Sequence, residues 1–274
     1  MARALVLLLL VMTLGVSVGC YHAITPAERR ASFQPYAQAR IGSAVASDFL
    51  LRRTALLVNE GGGVGSATAV DARGYFLTAA HCVGKDSVRL VLLRDTRRSA
   101  VVPARVVWRG DVDQGGPDLA LLRTAGPIPF AFEWAPRVME GQPVLVCGPD
   151  YEEGVERSYL MDCIAGRVTA VGRSARSGEP IEEFRHDAPV HQGDSGGPVV
   201  ALDGRLIGIN YATVRLVLLP PLSVRVGVNA SRPALGWLQA MIDEDDVRFR
   251  DVARRHDAQG PSSGAGEGEA VQPD

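Results

Sequence analysis

The chain has 274 residues, enough to bury a sizeable core in one two-lobed domain or two small ones. Its 29 Lys and Arg nearly balance 31 Asp and Glu, so there is no basic footprint for nucleic acid, and that class of partner is set aside. Thirty glycines, seventeen prolines and many short Val/Leu/Ile runs favour strands and turns over long helices.

In chain order, Arg3 precedes an apolar run over 4–11, which leads into Gly15-Val16-Ser17-Val18-Gly19-Cys20. The run is short for a membrane span and has the layout of a secretory signal, so residues 1–19 are expected to be a signal peptide. Val18-Gly19-Cys20 resembles the bacterial lipoprotein processing box, with Ser17 where that box usually has leucine. The resemblance implies lipidation of Cys20 and attachment to a membrane; ordinary cleavage near Gly19 would instead leave Cys20 unmodified. Residues 20–45 are polar and mixed and read as a tether.

Short apolar or β-branched runs over 54–58, 66–70, 75–78, 88–93, 100–108 and 119–122 predict a first set of strands, with Gly61-Gly62-Gly63 and Gly74 as turns. Prolines 127, 129 and 136 mark a connector. A second set starts at 143 and continues over 158–171, 184–188, 198–202, 206–211, 213–218 and 223–228. Two such sets without helical interludes predict an all-β fold of two packed six-stranded antiparallel barrels, about 46–128 and 129–230. Ser231-Arg232-Pro233 is expected to open a short helix, with Ser231 as N-cap and Leu235, Leu238, Met241 and Ile242 on one side. The folded domain is expected to end near 242, followed by a charged segment and a disordered tail over 243–274.

Export lets disulfides persist. Cys147 ends the strand-like run 144–146, and Cys163 lies in a neighbouring run over 159–164; a hairpin between them would allow a disulfide. Cys82 would then be a free thiol beside His81. His and Cys are too scattered to suggest a metal site, and no cofactor is expected.

Three motifs carry chemistry. Thr78-Ala79-Ala80-His81-Cys82 places a histidine at the end of an apolar strand. Asp118 leads Asp118-Leu119-Ala120-Leu121-Leu122, and Ser195 sits in Gly193-Asp194-Ser195-Gly196-Gly197-Pro198. A hydroxyl is a poor nucleophile near neutral pH and needs an imidazole to take its proton and an acid to hold that imidazole's tautomer. The order His, Asp, Ser is one known solution to that geometry. Asp111, Asp113 and Asp187 compete for the acid position, but the first two lie in a glycine-rich loop and the third belongs with the serine motif.

These motifs, with Gly65-Ser66-Ala67-Thr68-Ala69-Val70, Gly74-Tyr75-Phe76-Leu77 and Gly166-Arg167-Val168-Thr169-Ala170-Val171-Gly172, resemble the trypsin/chymotrypsin-type serine endopeptidases, and within them the HtrA-like branch. The resemblance implies Ser195 as nucleophile, His81 as general base and then acid, and Asp118 as its orienting partner. It also implies an oxyanion hole from the backbone N–H groups of Gly193 and Ser195. Pro189, His191 and Asn210 become the candidates for the substrate site; His186 and His191 would line the cleft or, as surface histidines usually are, be exposed. Pro189 stands six residues before Ser195, where trypsin carries an aspartate, so no preference for Lys or Arg is expected.

About 40 residues follow Leu235, too few for the PDZ module common in that branch, so none is expected. In trypsin-like zymogens a freed amine pairs with the acid before the nucleophile; Arg40-Ile41-Gly42 and Asp194 would fill those places, although the HtrA-like branch needs no such cleavage. The expected partners are a protein or peptide substrate and a membrane. The alternative is a catalytically silent, protease-like protein that binds peptides along a sheet edge. An esterase with the same triad is disfavoured, because helices do not alternate with the strands.

Overall fold

The computed structural model describes residues 49–59, 63–84, 87–93, 99–152, 158–173, 178–191, 193–219 and 222–258. The expected signal peptide and tether, Cys20, Arg40-Ile41 and the residues beyond 258 lie outside them.

Strands β1 (Thr54–Val58), β2 (Val64–Asp71), β3 (Tyr75–Thr78), β4 (Ser87–Leu93), β5 (Ser99–Arg109) and β6 (Ala120–Thr124) close a barrel in the order β1-β2-β3-β6-β5-β4. Its interior mixes small and large side chains, Ala55, Ala67, Ala69, Ala104 and Ala120 against Leu57, Phe76, Leu90 and Leu122. That mixture fills the narrow lumen of a small barrel. The period of two sends the alternate residues Leu56, Val91 and Leu93 to a second cluster with Leu51.

Strands β7 (Pro143–Glu152), β8 (Ser158–Arg173), β9 (Ile181–His186), β10 (Pro198–Ala201), β11 (Leu206–Leu219) and β12 (Leu222–Pro233) close the second barrel as β10-β11-β12-β9-β8-β7. This is the connectivity of the first barrel repeated. Cys147 of β7 lies directly opposite Cys163 of β8, with Cα atoms 4.2 Å apart, and the two sulfurs are bonded.

The connector is fixed to both barrels. Phe132 N–H donates to Ala69 O (3.0 Å) on the first. On the second, Ala135 N–H donates to Leu206 O (2.8 Å), and the buried Arg232 donates to Ile207 O and Ala135 O with its guanidinium over Trp134.

Three expectations change. The runs 206–211 and 213–218 are one strand, β11, whose register shifts between Asn210 and Ala212; the bulge interrupts alternation without ending the pairing. Ser231 is not an N-cap: it is a buried residue of β12, paired with Ile209 and Glu183, and the helix α1 begins at Leu235. The helix is also longer than expected, because α1 runs through Leu235–Ala258 and takes in the charged segment after 242. Its charged half is laced by Glu244–Arg248 and Asp246–Arg250 pairs, acid four residues before base, the favourable orientation on a helix. Among the described residues no helix is long and apolar enough to cross a membrane.

Candidate active site

β3 and β6 are antiparallel neighbours with Thr78 opposite Ala120, so the chain leaving β3 meets the chain entering β6 at one end of the first barrel. His81 occupies the 3-10 turn Ala80–Cys82 just after β3, and Asp118 stands just before β6. Asp118 Oδ2 lies 2.7 Å from His81 Nδ1, and Oδ1 accepts from the His81 backbone N–H at 3.0 Å. The carboxylate is buried while the imidazole keeps 35% of its side-chain surface exposed. A proton on Nδ1 satisfies the carboxylate and leaves the lone pair on Nε2. Two of the competing acids are engaged elsewhere, Asp111 within its own turn and Asp187 across to β8. Asp111 accepts from Gln114 N–H, and Asp187 Oδ1 accepts from Arg167 N–H at 2.6 Å.

On the second barrel Ser195 sits in the turn leading into β10. Its Oγ donates to the Tyr211 carbonyl of β11 at 3.2 Å. Gly193 and Gly196 adopt φ values of 100° and 87°, the left-handed region that favours glycine. At Gly196 space also demands it, because a Cβ would run into the Ser66 carbonyl and the Thr78 hydroxyl.

The turn is braced from both barrels. From the first, Ser66 N–H donates to Ser195 O (2.8 Å), Ser66 Oγ to Gly193 O (2.6 Å) and Thr68 Oγ1 to Gly196 O (2.9 Å). From the second, Asn210 accepts from Gly196 N–H (2.7 Å), donates to Gly197 O (3.0 Å) and extends its amide to Asp194 O (3.1 Å). Its Oδ1 faces His186 Nε2 at 3.3 Å. The Asp194 carboxylate accepts from His191 N–H at 2.6 Å and lies 3.9 Å from His191 Nδ1.

Of the substrate-site candidates, Pro189 is half-buried, whereas Asn210 is 1% exposed with its amide spent on the nucleophile turn. His186 and His191 are not exposed polar residues: His186 is fully buried, and the His191 side chain is turned in beside Asp194. Cys82 is a buried free thiol whose Sγ points at Ser195 O, 3.8 Å away. Tyr211 is a site residue that sequence reasoning passes over. Burial pushes its phenol well above its ordinary range, and the charges of Glu183 and then Asp118 add to that. Ser66 and Thr68 belong to a motif the sequence displays, but the contacts of their hydroxyls with the nucleophile turn are not legible there. Among the described residues no group of His, Cys, Asp or Glu is arranged to hold a metal.

Two six-stranded barrels, with a His–Asp pair on the first and a glycine-bound serine on the second, define the trypsin-like class of fold. The chain belongs to the trypsin-like peptidase family: residues 65–209, more than half of it, match the family's trypsin-like peptidase domain. It is similar to the periplasmic pH-dependent serine endoprotease DegQ of Escherichia coli, 29% identical over 194 residues that cover 68% of this chain and 39% of that protein. It is also similar to the periplasmic serine endoprotease DegP of Salmonella typhimurium, 33% identical over 175 residues covering 62% and 33%. The chain thus spans about two-fifths or less of these relatives' length. Among solved structures, the serine endoprotease from Yersinia pestis is similar with a TM-score of 0.51 at 21% identity, covering 74% of this chain and 65% of that one. The HtrA-type protease AlgW with decapeptide gives 0.50 at 22%, covering 72% and 65%. These two likenesses bear on the fold.

Proposed function

We propose that the chain is a serine endopeptidase that hydrolyses peptide bonds of exported or envelope proteins. The observation that carries this is the Asp118–His81 pair, joined by two contacts at the paired ends of β3 and β6, together with a serine whose turn is hydrogen-bonded by both barrels. In this reading Ser195 Oγ leaves the Tyr211 carbonyl and attacks the substrate's carbonyl carbon while His81 Nε2 takes its proton. The developing oxyanion is met by the N–H groups of Gly193 and Ser195, worth about 3–4 kcal/mol per donor in comparable sites. His81 then gives its proton to the leaving amine, and water, deprotonated by the same imidazole, releases the acyl group from Ser195. Asp118 keeps the imidazole in the productive tautomer throughout.

Pro189 offers no charge to a substrate side chain, which argues against selection for Lys or Arg. The Asp194 carboxylate already accepts the His191 N–H, which supports a site assembled without a freed amine from Arg40-Ile41 cleavage. Export rests on the apolar leader and on the relatives named as periplasmic, and lipid attachment rests on Cys20. A fluorophosphonate probe tests the proposal: it should label the parent protein and leave Ser195→Ala unlabelled. An unlabelled parent that also leaves casein intact would point to the peptide-binding alternative.

A further inference from the structure

We propose that Ser66 is a positioning residue of the oxyanion turn, whose hydroxyl, reaching over from the first barrel, locks the peptide unit between Gly193 and Asp194. The inference rests on the endopeptidase reading and goes beyond it, since Ser66 touches no substrate.

That peptide unit lies between the two amides assigned to the oxyanion. Its carbonyl accepts from Ser66 Oγ at 2.6 Å, and its N–H, that of Asp194, donates to His191 O at 3.2 Å. Both ends of one plane are therefore pinned. Nothing steric would do this instead: Gly193, at φ 100°, has no atom within 4 Å of where a Cβ would stand. Glycine allows the linkage to rotate at little cost, so its orientation must come from outside. The N–H groups of Gly193 and Ser195 belong to the peptide units on either side of this one. A rotation about the Gly193 Cα–C bond that Asp194 does not compensate would turn one away from the other, and misplacement on the order of 1 Å costs about 100-fold in rate.

Ser66 is built to resist such a rotation. It is fully buried, its N–H donates to Ser195 O at 2.8 Å, and its carbonyl accepts from Thr78 Oγ1 at 2.7 Å. One residue of β2 thus grips the turn on both sides of Asp194 while being held by β3. Asn210 holds the same turn from the other barrel at Asp194 O, Gly196 and Gly197, so the lock on Gly193 O falls to Ser66. A hydroxyl that merely satisfied a buried carbonyl would affect stability alone. A positioning hydroxyl affects the transition state, where the oxyanion carries its charge.

The test uses the full chain with Ser66→Ala and Ser66→Cys, the latter close in shape but a weak donor. Steady-state peptide cleavage, binding of a peptide boronate and thermal melting are measured together. The inference expects kcat to fall about 10- to 100-fold in Ser66→Ala with KM within about twofold. Boronate affinity should weaken in step with kcat/KM, and Ser66→Cys should fall between parent and Ser66→Ala. If Ser66→Ala does not fold, a kcat loss at constant KM in Ser66→Cys supports the inference equally. An active parent with variants of unchanged kcat, or variants that lose only stability or only KM, would overturn it. A parent that cleaves nothing overturns the endopeptidase reading and this inference with it.

Discussion

Asp118 holds His81 with both oxygens of one carboxylate, Oδ2 at 2.7 Å from Nδ1 and Oδ1 accepting the backbone N–H at 3.0 Å. The first contact leaves the imidazole the tautomer with its proton on Nδ1, and the second ties ring and backbone to the same group. Asp118→Asn should therefore lower kcat by about 10³–10⁴-fold with little change in melting temperature, since an amide keeps the shape but favours the wrong tautomer. Steady-state kinetics beside a melting curve check this, and a loss below tenfold would contradict it.

The buried phenol of Tyr211 makes a prediction about alkali. Its proton is held above the ordinary value of 10.0, first by burial and then by the negative charges of Glu183 and Asp118. In the unfolded chain the phenol ionises at its ordinary value, while in the folded chain it stays protonated to higher pH. Its stabilising contribution is therefore whole below about pH 10 and is lost as pH rises toward the folded value, by up to about 1.4 kcal/mol per pH unit. Urea unfolding between pH 9 and 11 should show a shallower alkaline fall for Tyr211→Phe than for the parent. Equal slopes would count against the role given to this phenol.

The Cys147–Cys163 bond closes a loop of sequence separation 16 under the nucleophile turn, where Gly197 packs against the Cys147 carbonyl. For a loop of that size the chain-entropy model gives about 3 kcal/mol. A Cys147→Ala/Cys163→Ala double variant should lose about 2–4 kcal/mol in denaturant unfolding. An unchanged midpoint would show that the β7–β8 hairpin needs no covalent tie.

Maturation yields a further prediction. Since the Asp194 carboxylate accepts from His191 N–H, Arg40→Gln should cleave substrate at the parent's rate. A precursor that stays inactive until cut at residue 41 would contradict this.

Much of the fold was legible in the sequence, and the reasons are local. β1 and β3 emerge with the expected bounds because each is an apolar run with glycine near one end, Gly61 after β1 and Gly74 before β3, and nearly every side chain in them is buried. The β11 bulge was not legible: Asn210-Tyr211-Ala212 breaks alternation, and only pairing with β12 shows that one strand continues. The second half of α1 reads as a polar segment until its acidic and basic residues are placed four apart on a helix. At the site, His81, Asp118 and Ser195 each sit in a motif with its own local signature. Ser66 sits in a motif as well, but its role does not show there, since its partner Gly193 lies 127 residues away and the contact exists only when the two barrels pack. In the sequence Asn210 reads as a cleft residue, whereas in the fold it is buried and its amide donates to Asp194 O of the nucleophile turn.

The central claim is that Ser195, activated through His81 and Asp118, cuts peptide bonds. The most direct measurement is mass spectrometry of an unfolded protein substrate after incubation with the parent chain and with Ser195→Ala at equal concentration. Internal cleavage by the parent, reduced by about 10⁴-fold or more in Ser195→Ala, is the predicted result. Cleavage that survives Ser195→Ala, or no cleavage by the folded parent, would contradict it.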